Sequence, residues 1–141
     1  MLKLMLKTIS GTVLVCLLLT SVMATAKVNL SEAHICQVAT TDDVRMFKAK
    51  IKSLRVSLRR AYFGVTCDPS GQFAGGNLLH TAIAHDSVDV ALYIVTQLSS
   101  VQLAKMDDQG ETLKQWITDR YKDYAPAETV LAAIDKRLAS K

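Results

Sequence analysis

Residues 76–85 read GNLLHTAIAH, and this stretch indicates the fold of the chain. Its apolar residues recur at helical spacing and predict a short helix over 78–85. The turn Asp86-Ser87 follows, and a second apolar run predicts another helix over 88–98. Upstream, residues 64–77 hold four of the six glycines and one of the two prolines, which is typical of a loop. The sequence therefore predicts a loop that leads into a pair of short helices.

An amphipathic segment precedes this loop. Asp42 and Asp43 are suited to cap the helix that follows them. Beyond them an apolar stripe runs at steps of three and four residues through Val44, Phe47, Ile51, Leu54, Leu58 and Tyr62. We expect residues 43–62 to form one basic helix, or two helices joined near Lys52-Ser53.

Helical patterns continue on both sides, and strand signals are scarce. Further helices are expected over 32–40 and over 112–121. A last helix is expected to begin at Pro126, because proline suits the first position of a helix. The predicted fold class is therefore all-α, with stacked helix-turn-helix pairs.

The central stretch also resembles the start of an ankyrin repeat, in which a glycine turn leads to Leu-His-x-Ala on the inner helix. Leu79, His80 and Ala82 match this pattern, whereas the family's threonine-proline pair is absent. Gly75 and Gly110 are 35 positions apart, close to the period of about 33 residues. The resemblance implies two to three degenerate ankyrin-like repeats, in which the His80 ring hydrogen-bonds backbone between repeats.

The first 26 residues have the pattern of a cleavable export signal. Lys3 and Lys7 provide a positive start, and residues 9–19 form an apolar run of 11 residues. Such a run is shorter than the roughly 20 residues that span a bilayer. Residues 24–26, Ala-Thr-Ala, are small, as signal peptidase requires.

Signal peptidase is therefore expected to cleave between Ala26 and Lys27. The remaining 115 of the 141 residues are expected to form a single helical domain, 27–141. This domain is expected to be periplasmic or secreted. Without Lys3 and Lys7 the chain has 15 basic and 13 acidic residues, so its net charge falls from +4 to +2. Nucleic acid is not expected as a partner, because an exported protein rarely meets it.

Cys36 and Cys67 are the two cysteines beyond the leader. In an oxidising compartment an even pair predicts a disulfide bond. Closing a separation of 31 residues stabilises a fold by about 3–4 kcal/mol in the loop-entropy model. The alternative, a thiol-metal or redox site, lacks the Cys-x-x-Cys spacing.

The order of these features is similar to that of a family of small bacterial exported proteins with no assigned activity. Shared features are an early cysteine, a basic amphipathic segment, and then a second cysteine and a glycine turn before Leu-Leu-x-x-Ala, here residues 78–82. The resemblance implies the compartment and the architecture, and it implies no particular activity.

Residues with potential chemistry do not form a recognised catalytic or metal motif. His80 and His85 are five positions apart, unlike the four of a zinc-binding His-x-x-x-His pair, and His34 has no further ligand at a suitable spacing. Ser70 stands in a turn sequence and not in Gly-x-Ser-x-Gly. We expect no catalytic residue, no metal and no cofactor. A small hydrolase or metal-dependent enzyme that uses these histidines is a further alternative.

Basic side chains of segment 43–62 are the main candidates for binding. The segment from Asp42 to Tyr62 contains seven Lys and Arg residues and two Asp residues, which gives it a local net charge of +5. The residues proposed to contact an anionic partner are Arg45, Lys48, Lys52, Arg55, Arg59 and Arg60. The alternative is that they are only the solvated face of a core helix.

The expected function is a non-catalytic protein-binding or adaptor module with an unknown protein partner. This expectation rests on analogy between folds. The first alternative is a peripheral binder of the anionic envelope or membrane surface through the basic helix 43–62. Trp116, the single tryptophan, either anchors a partner or fills the core.

Overall fold

The computed structural model describes residues 30–140, and within them its regular structure is helical, with three isolated β-bridges. Its helices are α1 (Leu30–Ala39), α2 (Val44–Ser53), α3 (Leu58–Gly64), α4 (Leu78–Ala84), α5 (Val88–Gln97), α6 (Ser100–Leu103), α7 (Leu113–Arg120) and α8 (Ala125–Ala139). The all-α prediction is confirmed. The ankyrin-like pairing stays a prediction, and the expected signal peptide and its cleavage at Ala26-Lys27 lie outside the described residues.

The pair α4 and α5 forms the centre of the core. Helix α5 packs along α8 and against α4, while α4 also contacts α1. Leu78 and Leu79 on α4, Ile94 on α5 and Ile134 on α8 are fully buried. Burial of each such side chain contributes about 1.5–3 kcal/mol relative to its exposure to water. The stretch quoted first thus lies where the other helices meet.

Asn77 starts α4. Its side-chain oxygen accepts hydrogen bonds from the backbone N–H groups of Leu79 at 2.9 Å and His80 at 3.0 Å. These are two of the donors that a helix leaves without an internal partner. The sequence reason for the boundary is therefore local: a capping residue stands between the glycine turn and the first leucine.

Helix α5 begins with help from a distant residue. Its own N-cap residue, Ser87, makes no side-chain capping bond. Instead a carboxylate oxygen of Asp42 accepts from the N–H groups of Asp89 at 2.8 Å and Val90 at 3.2 Å. Its neighbour Asp43 caps α2 in the expected way, because it accepts from the N–H of Met46 at 2.9 Å. The two adjacent carboxylates therefore cap different helices.

The segment 43–62 is not one helix. Helix α2 ends at Ser53, and Arg55 adopts the left-handed conformation with φ +54°. Helix α3 then starts at a new cap, Ser57, whose hydroxyl accepts from the N–H of Arg60 at 3.2 Å. Of the two alternatives for this segment, the single helix is wrong and the pair of helices is confirmed: the backbone turns at Arg55, just after Lys52-Ser53, and Ser57 caps the second helix. The apolar stripe continues through the bend, with Phe47, Ile51, Leu58 and Tyr62 buried and Val44 and Leu54 partly buried.

The glycine-rich loop folds back on itself as a small hairpin. Cys67 and Gly76 exchange backbone hydrogen bonds of 2.7 and 3.1 Å, and Ser70 and Phe73 form a second pair inside them. The sulfur atoms of Cys36 and Cys67 lie 2.07 Å apart, at disulfide distance. The expected cysteine pairing thus ties the hairpin to α1.

The last three helices start as their sequences suggest. Ser99 and Thr112 form capping boxes with Gln102 and Gln115 at the starts of α6 and α7. Pro126 occupies the first turn of α8, as predicted. No helix within residues 30–140 is long and apolar enough to cross a membrane.

Replacing Asp42 is expected to weaken the start of α5. The substitution Asp42→Ala removes the acceptor for the Asp89 and Val90 N–H groups, so we expect a loss of about 1 kcal/mol in the free energy of unfolding. Urea unfolding measures the loss, and amide hydrogen exchange locates it at Asp89 and Val90. Asp42→Asn retains a side-chain oxygen and should restore most of the stability. Unchanged exchange at both amides in Asp42→Ala would show that the cap has no effect in solution.

The cysteine pair is expected to be oxidised in the exported protein. Mass spectrometry with and without reductant should show a difference of two hydrogens on the peptides that contain Cys36 and Cys67. The double substitution to alanine should lower the free energy of unfolding by about 3 kcal/mol, because the unfolded chain gains freedom. Two free thiols in the exported protein would contradict the assignment.

Candidate functional site

The six basic residues predicted to bind an anionic partner are all exposed. They lie on α2, at the bend after it and on α3, and we call them the basic group: Arg45, Lys48, Lys52, Arg55, Arg59 and Arg60. The ion pairs found among residues 30–140 are Lys114–Asp135 and Glu111–Arg120, so none involves the basic group. Its charges are therefore not compensated by a direct ion pair within the described chain.

An exposed aromatic ring stands beside the α3 part of the basic group. Phe63 is 46% exposed and borders a shallow depression together with Arg59 and Arg60. The ammonium group of Lys105 lies 4.8 Å from the centre of the Phe63 ring.

The three histidines lie in separate surroundings. His34 Nδ1 accepts from the Lys50 ammonium group at 2.9 Å, His85 contacts Ser70, and His80 stacks on Trp116. No group of three His, Cys, Asp or Glu residues in the part of the chain that the structure describes is arranged to hold a metal ion.

Ser70 and His85 form the contact that most resembles a nucleophile with its base. The Ser70 hydroxyl oxygen and His85 Nε2 lie 3.0 Å apart, and Phe73 packs edge-on against the imidazole. A catalytic pair also needs a third group that orients the base. Within residues 30–140 no carboxylate hydrogen-bonds to the His85 ring. The contact joins the tip of the hairpin to the C-cap residue of α4.

A cleft of about 590 Å³ opens between α3, the hairpin, the start of α4, the loop before α7 and α7 itself. We call it the polar cleft. The side chains that give it its chemistry are His80, Gln102, Asp107, Glu111, Trp116 and Arg120. Its volume is in the range of small-molecule sites, about 300–1,000 Å³.

One wall of the polar cleft is a connected set of rings and charges. The His80 imidazole stacks on Trp116 with centroids 4.1 Å apart and ring planes 26° apart. The Arg120 guanidinium lies 5.5 Å from the centre of the Trp116 ring, and its Nη1 nitrogen donates to both carboxylate oxygens of Glu111 at 2.9 Å. Trp116 is only 8% exposed. Of the two roles considered for it, filling the core or anchoring a partner, its burial matches the first.

His80 is neutral at physiological pH. Burial lowers its pKa to about 4, and the nearby Asp107 carboxylate only partly opposes this effect. The resemblance to ankyrin repeats implied a hydrogen bond from this ring to backbone. No such bond is formed within residues 30–140, and the ring packs on Trp116 instead. A buried histidine with a shifted pKa in a cleft is a common feature of functional sites.

The glycine turn lets the hairpin approach His80 closely. A Cβ atom on Gly76 would lie 2.6 Å from His80 Nδ1, and one on Gly75 would lie 2.9 Å from the Cys67 carbonyl oxygen. Both glycines have positive φ, +90° at Gly75 and +155° at Gly76. Larger residues at these positions would therefore displace the hairpin wall from the cleft.

Gln102 also borders the polar cleft. Its side chain caps α6, because Oε1 accepts from the Ser99 N–H at 2.9 Å. Its amide nitrogen Nε2 is buried and has no hydrogen-bond partner among the described residues. No pattern in the sequence indicates Gln102 or the cleft, since His80 and Trp116 meet only in the folded chain.

Protonation of His80 is expected to destabilise the fold in acid. The unfolded imidazole has its ordinary pKa of about 6.5 and the folded one about 4, so the unfolded state takes up the proton first as pH falls. The free energy of unfolding should fall between about pH 6.5 and 4, by about 3 kcal/mol in all. Urea unfolding of the native protein and of His80→Phe, which keeps a ring but cannot titrate, measures this term. Coincident pH profiles, or an NMR titration of His80 with an ordinary pKa, would contradict it.

Comparison with known proteins gives one family and no individual relative. No curated protein and no solved structure matches the chain. The profile of a family described as protein of unknown function (DUF3718) matches residues 35–105, half of the 141-residue chain. The matched stretch includes both paired cysteines, the basic group and His80, and it ends before Asp107. The chain belongs to the DUF3718 family of proteins of unknown function.

Proposed function

We propose that this chain is a non-catalytic binding module that acts in the periplasm or outside the cell and binds an acidic protein surface. The observation that carries the proposal is the basic group, six exposed cations without an ion pair to any described acidic side chain. Complementary charge accelerates association with an anionic partner and selects against basic ones.

The location has two sources of support. The cysteines at positions 36 and 67 lie at disulfide distance, which is compatible with an oxidising compartment. The sequence of the first 26 residues has the pattern of an export signal. Since nucleic acid is rarely met there, the proposal assigns the basic group to other anions.

The proposal assigns no catalytic centre, metal or cofactor. Its support is that His34, His80 and His85 contact different parts of the fold, and that the Ser70–His85 contact has no orienting carboxylate within residues 30–140. The proposed stacking of two to three ankyrin-like helix pairs would also suit an adaptor, because such repeats present an extended surface to a partner.

A second candidate is peripheral binding to an anionic membrane surface. The observation that favours it is Phe63, an exposed ring next to Arg59 and Arg60. Peripheral proteins combine an apolar side chain that enters the interface with cations that contact anionic headgroups. In this candidate the α3 part of the basic group would contact the membrane.

Reversing charges in the basic group is expected to abolish partner capture. The exported protein is crosslinked to partners in the native envelope at low and high salt, for the wild type and for Lys52→Glu/Arg59→Glu. Loss of two attractive charges and gain of two repulsive ones should weaken binding about tenfold or more. The matched control Lys122→Glu/Lys136→Glu changes the net charge equally, on exposed sites elsewhere. Equal capture by all three proteins would overturn the proposal.

Sedimentation with lipid vesicles distinguishes binding to an acidic protein surface from binding to an anionic membrane. Vesicles that contain phosphatidylglycerol are compared with vesicles of phosphatidylcholine alone at low ionic strength, where screening is weakest. The membrane candidate predicts sedimentation with the anionic vesicles only, and its loss in Phe63→Ala. No sedimentation with anionic vesicles would remove that candidate and leave the acidic protein surface.

A further inference from the structure

We infer that a second copy of this chain docks on the surface around Phe63 and forms a two-fold symmetric dimer. In this dimer the Arg59-Arg60 pair of each copy faces the Asp107-Asp108 pair of the other. The inference goes beyond the proposed function and does not rest on it, because it concerns the chain alone. It rests on an exposed apolar centre where two depressions meet, one with uncompensated positive charge and one with uncompensated negative charge.

Phe63 joins the two depressions. It lines both the shallow depression on α3 and the polar cleft, and no other described residue lines both. The depression on α3 contains Arg59-Arg60, whereas the cleft contains Met106 and Asp107-Asp108. The arginines do not line the cleft, and the aspartates do not line the depression on α3. The two signs of charge are therefore kept apart, with the aromatic ring where their depressions meet.

Neither the arginines nor the aspartates have a counter-charge in their own chain. All four side chains are exposed. The ion pairs between residues 30 and 140 join Lys114 to Asp135 and Arg120 to Glu111, so Arg59-Arg60 and Asp107-Asp108 take part in none of them. The Arg120–Glu111 pair compensates those two charges of the cleft internally and leaves the aspartates as its free anions. Both signs are thus available to a docking surface.

The centre of this surface is apolar. Phe63 is 46% exposed and Met106 is 60% exposed, and both line the polar cleft. Phenylalanine and methionine belong to the types that are enriched at interfaces, where charged residues concentrate toward the rim. The Lys105 ammonium group lies 4.8 Å from the centre of the Phe63 ring. Its long flexible side chain can turn this charge toward aspartates of the other copy.

A two-fold axis at Phe63 would bring the opposite charges together. A symmetric dimer uses the same surface on both copies, so that surface must be complementary to itself. A half-turn about an axis through Phe63 places the arginines of each copy over the aspartates of the other. Two sets of charges are compensated at once, and the Phe63 and Met106 side chains of both copies leave water together.

Other occupants fit this surface less well. An acidic protein or an anionic membrane on Arg59-Arg60 would bring negative charge against Asp107-Asp108, and like charges across an interface weaken binding. A basic partner meets the same conflict at the arginines. The α2 cations Arg45, Lys48 and Lys52 line neither depression, so each copy in the dimer keeps them for another partner.

The first test is self-association of the purified chain. Sedimentation velocity between about 10 µM and 1 mM protein covers the weak dimer that a small apolar centre supports. We expect the monomer to give way to a dimer as concentration rises, with weaker association at high salt. The variant Phe63→Ala should associate about tenfold more weakly. A monomer at every concentration, or a dimer unaffected by Phe63→Ala, would overturn the inference.

The pairing of opposite charges is tested by Arg60→Glu and Asp108→Arg. Each change leaves one sign of charge around Phe63 and occurs twice in a symmetric dimer, so each variant should self-associate about a hundredfold more weakly. Mixed in equal amounts, the two variants should associate with each other, because every contact across the axis again joins opposite charges. This mixture also shows that both variants are folded. Native self-association of either variant, or no association in the mixture, would contradict the arrangement.

The matched controls are Lys122→Glu and Asp119→Arg. They make the same changes of charge at exposed sites that line neither depression, so each should self-associate as the native chain does. A loss in the controls equal to that in Arg60→Glu and Asp108→Arg would show an effect of net charge and would overturn the inference.

Failure of the dimer and failure of the proposed function give different results. Asp108→Arg leaves the basic group unchanged, so it should lose self-association and still capture a partner from the envelope. A native chain that stays monomeric but captures a partner would overturn the dimer alone. A native chain that dimerises but captures nothing would overturn the proposed function alone.

Discussion

The close passage of the glycine turn over His80 is the contact on which most of the structure depends. A side chain at Gly76 would collide with the imidazole, so the hairpin reaches the start of α4 only because that position carries no Cβ. The same turn places Asn77 at the N-terminus of α4 and forms one wall of the polar cleft. On the far side of the hairpin, the pair Cys36–Cys67 holds it to α1.

Features that depend on neighbours in sequence could be predicted, and features that depend on distant residues could not. The helical class, the cap at Asp43 and the start of α8 near Pro126 follow from residues within one turn of each other. The cysteine pairing was predictable because two thiols allow one partner each. By contrast, Asp42 caps a helix 47 positions away, and the cleft joins His80 to Trp116. No local pattern specifies such contacts, since they arise only when the helices pack.

The bend at Arg55 shows that apolar spacing does not predict where a helix ends. The apolar stripe runs at helical spacing on both sides of it, so spacing alone is consistent with a continuous helix. The left-handed residue and the new cap at Ser57 break the backbone without breaking the stripe. Amphipathic pattern therefore predicts which side chains are buried more securely than it predicts where a helix ends.

Helix α8 has a consequence for what counts as one folding unit. It packs along α5 and buries Ile134 completely, yet it lies beyond residue 105, where the family match ends. Removing it would expose the apolar face of α5, including Ile94. The stretch that defines family membership is therefore smaller than the stretch that shares one hydrophobic core. Domain boundaries taken from the match alone would divide that core and produce an aggregation-prone fragment.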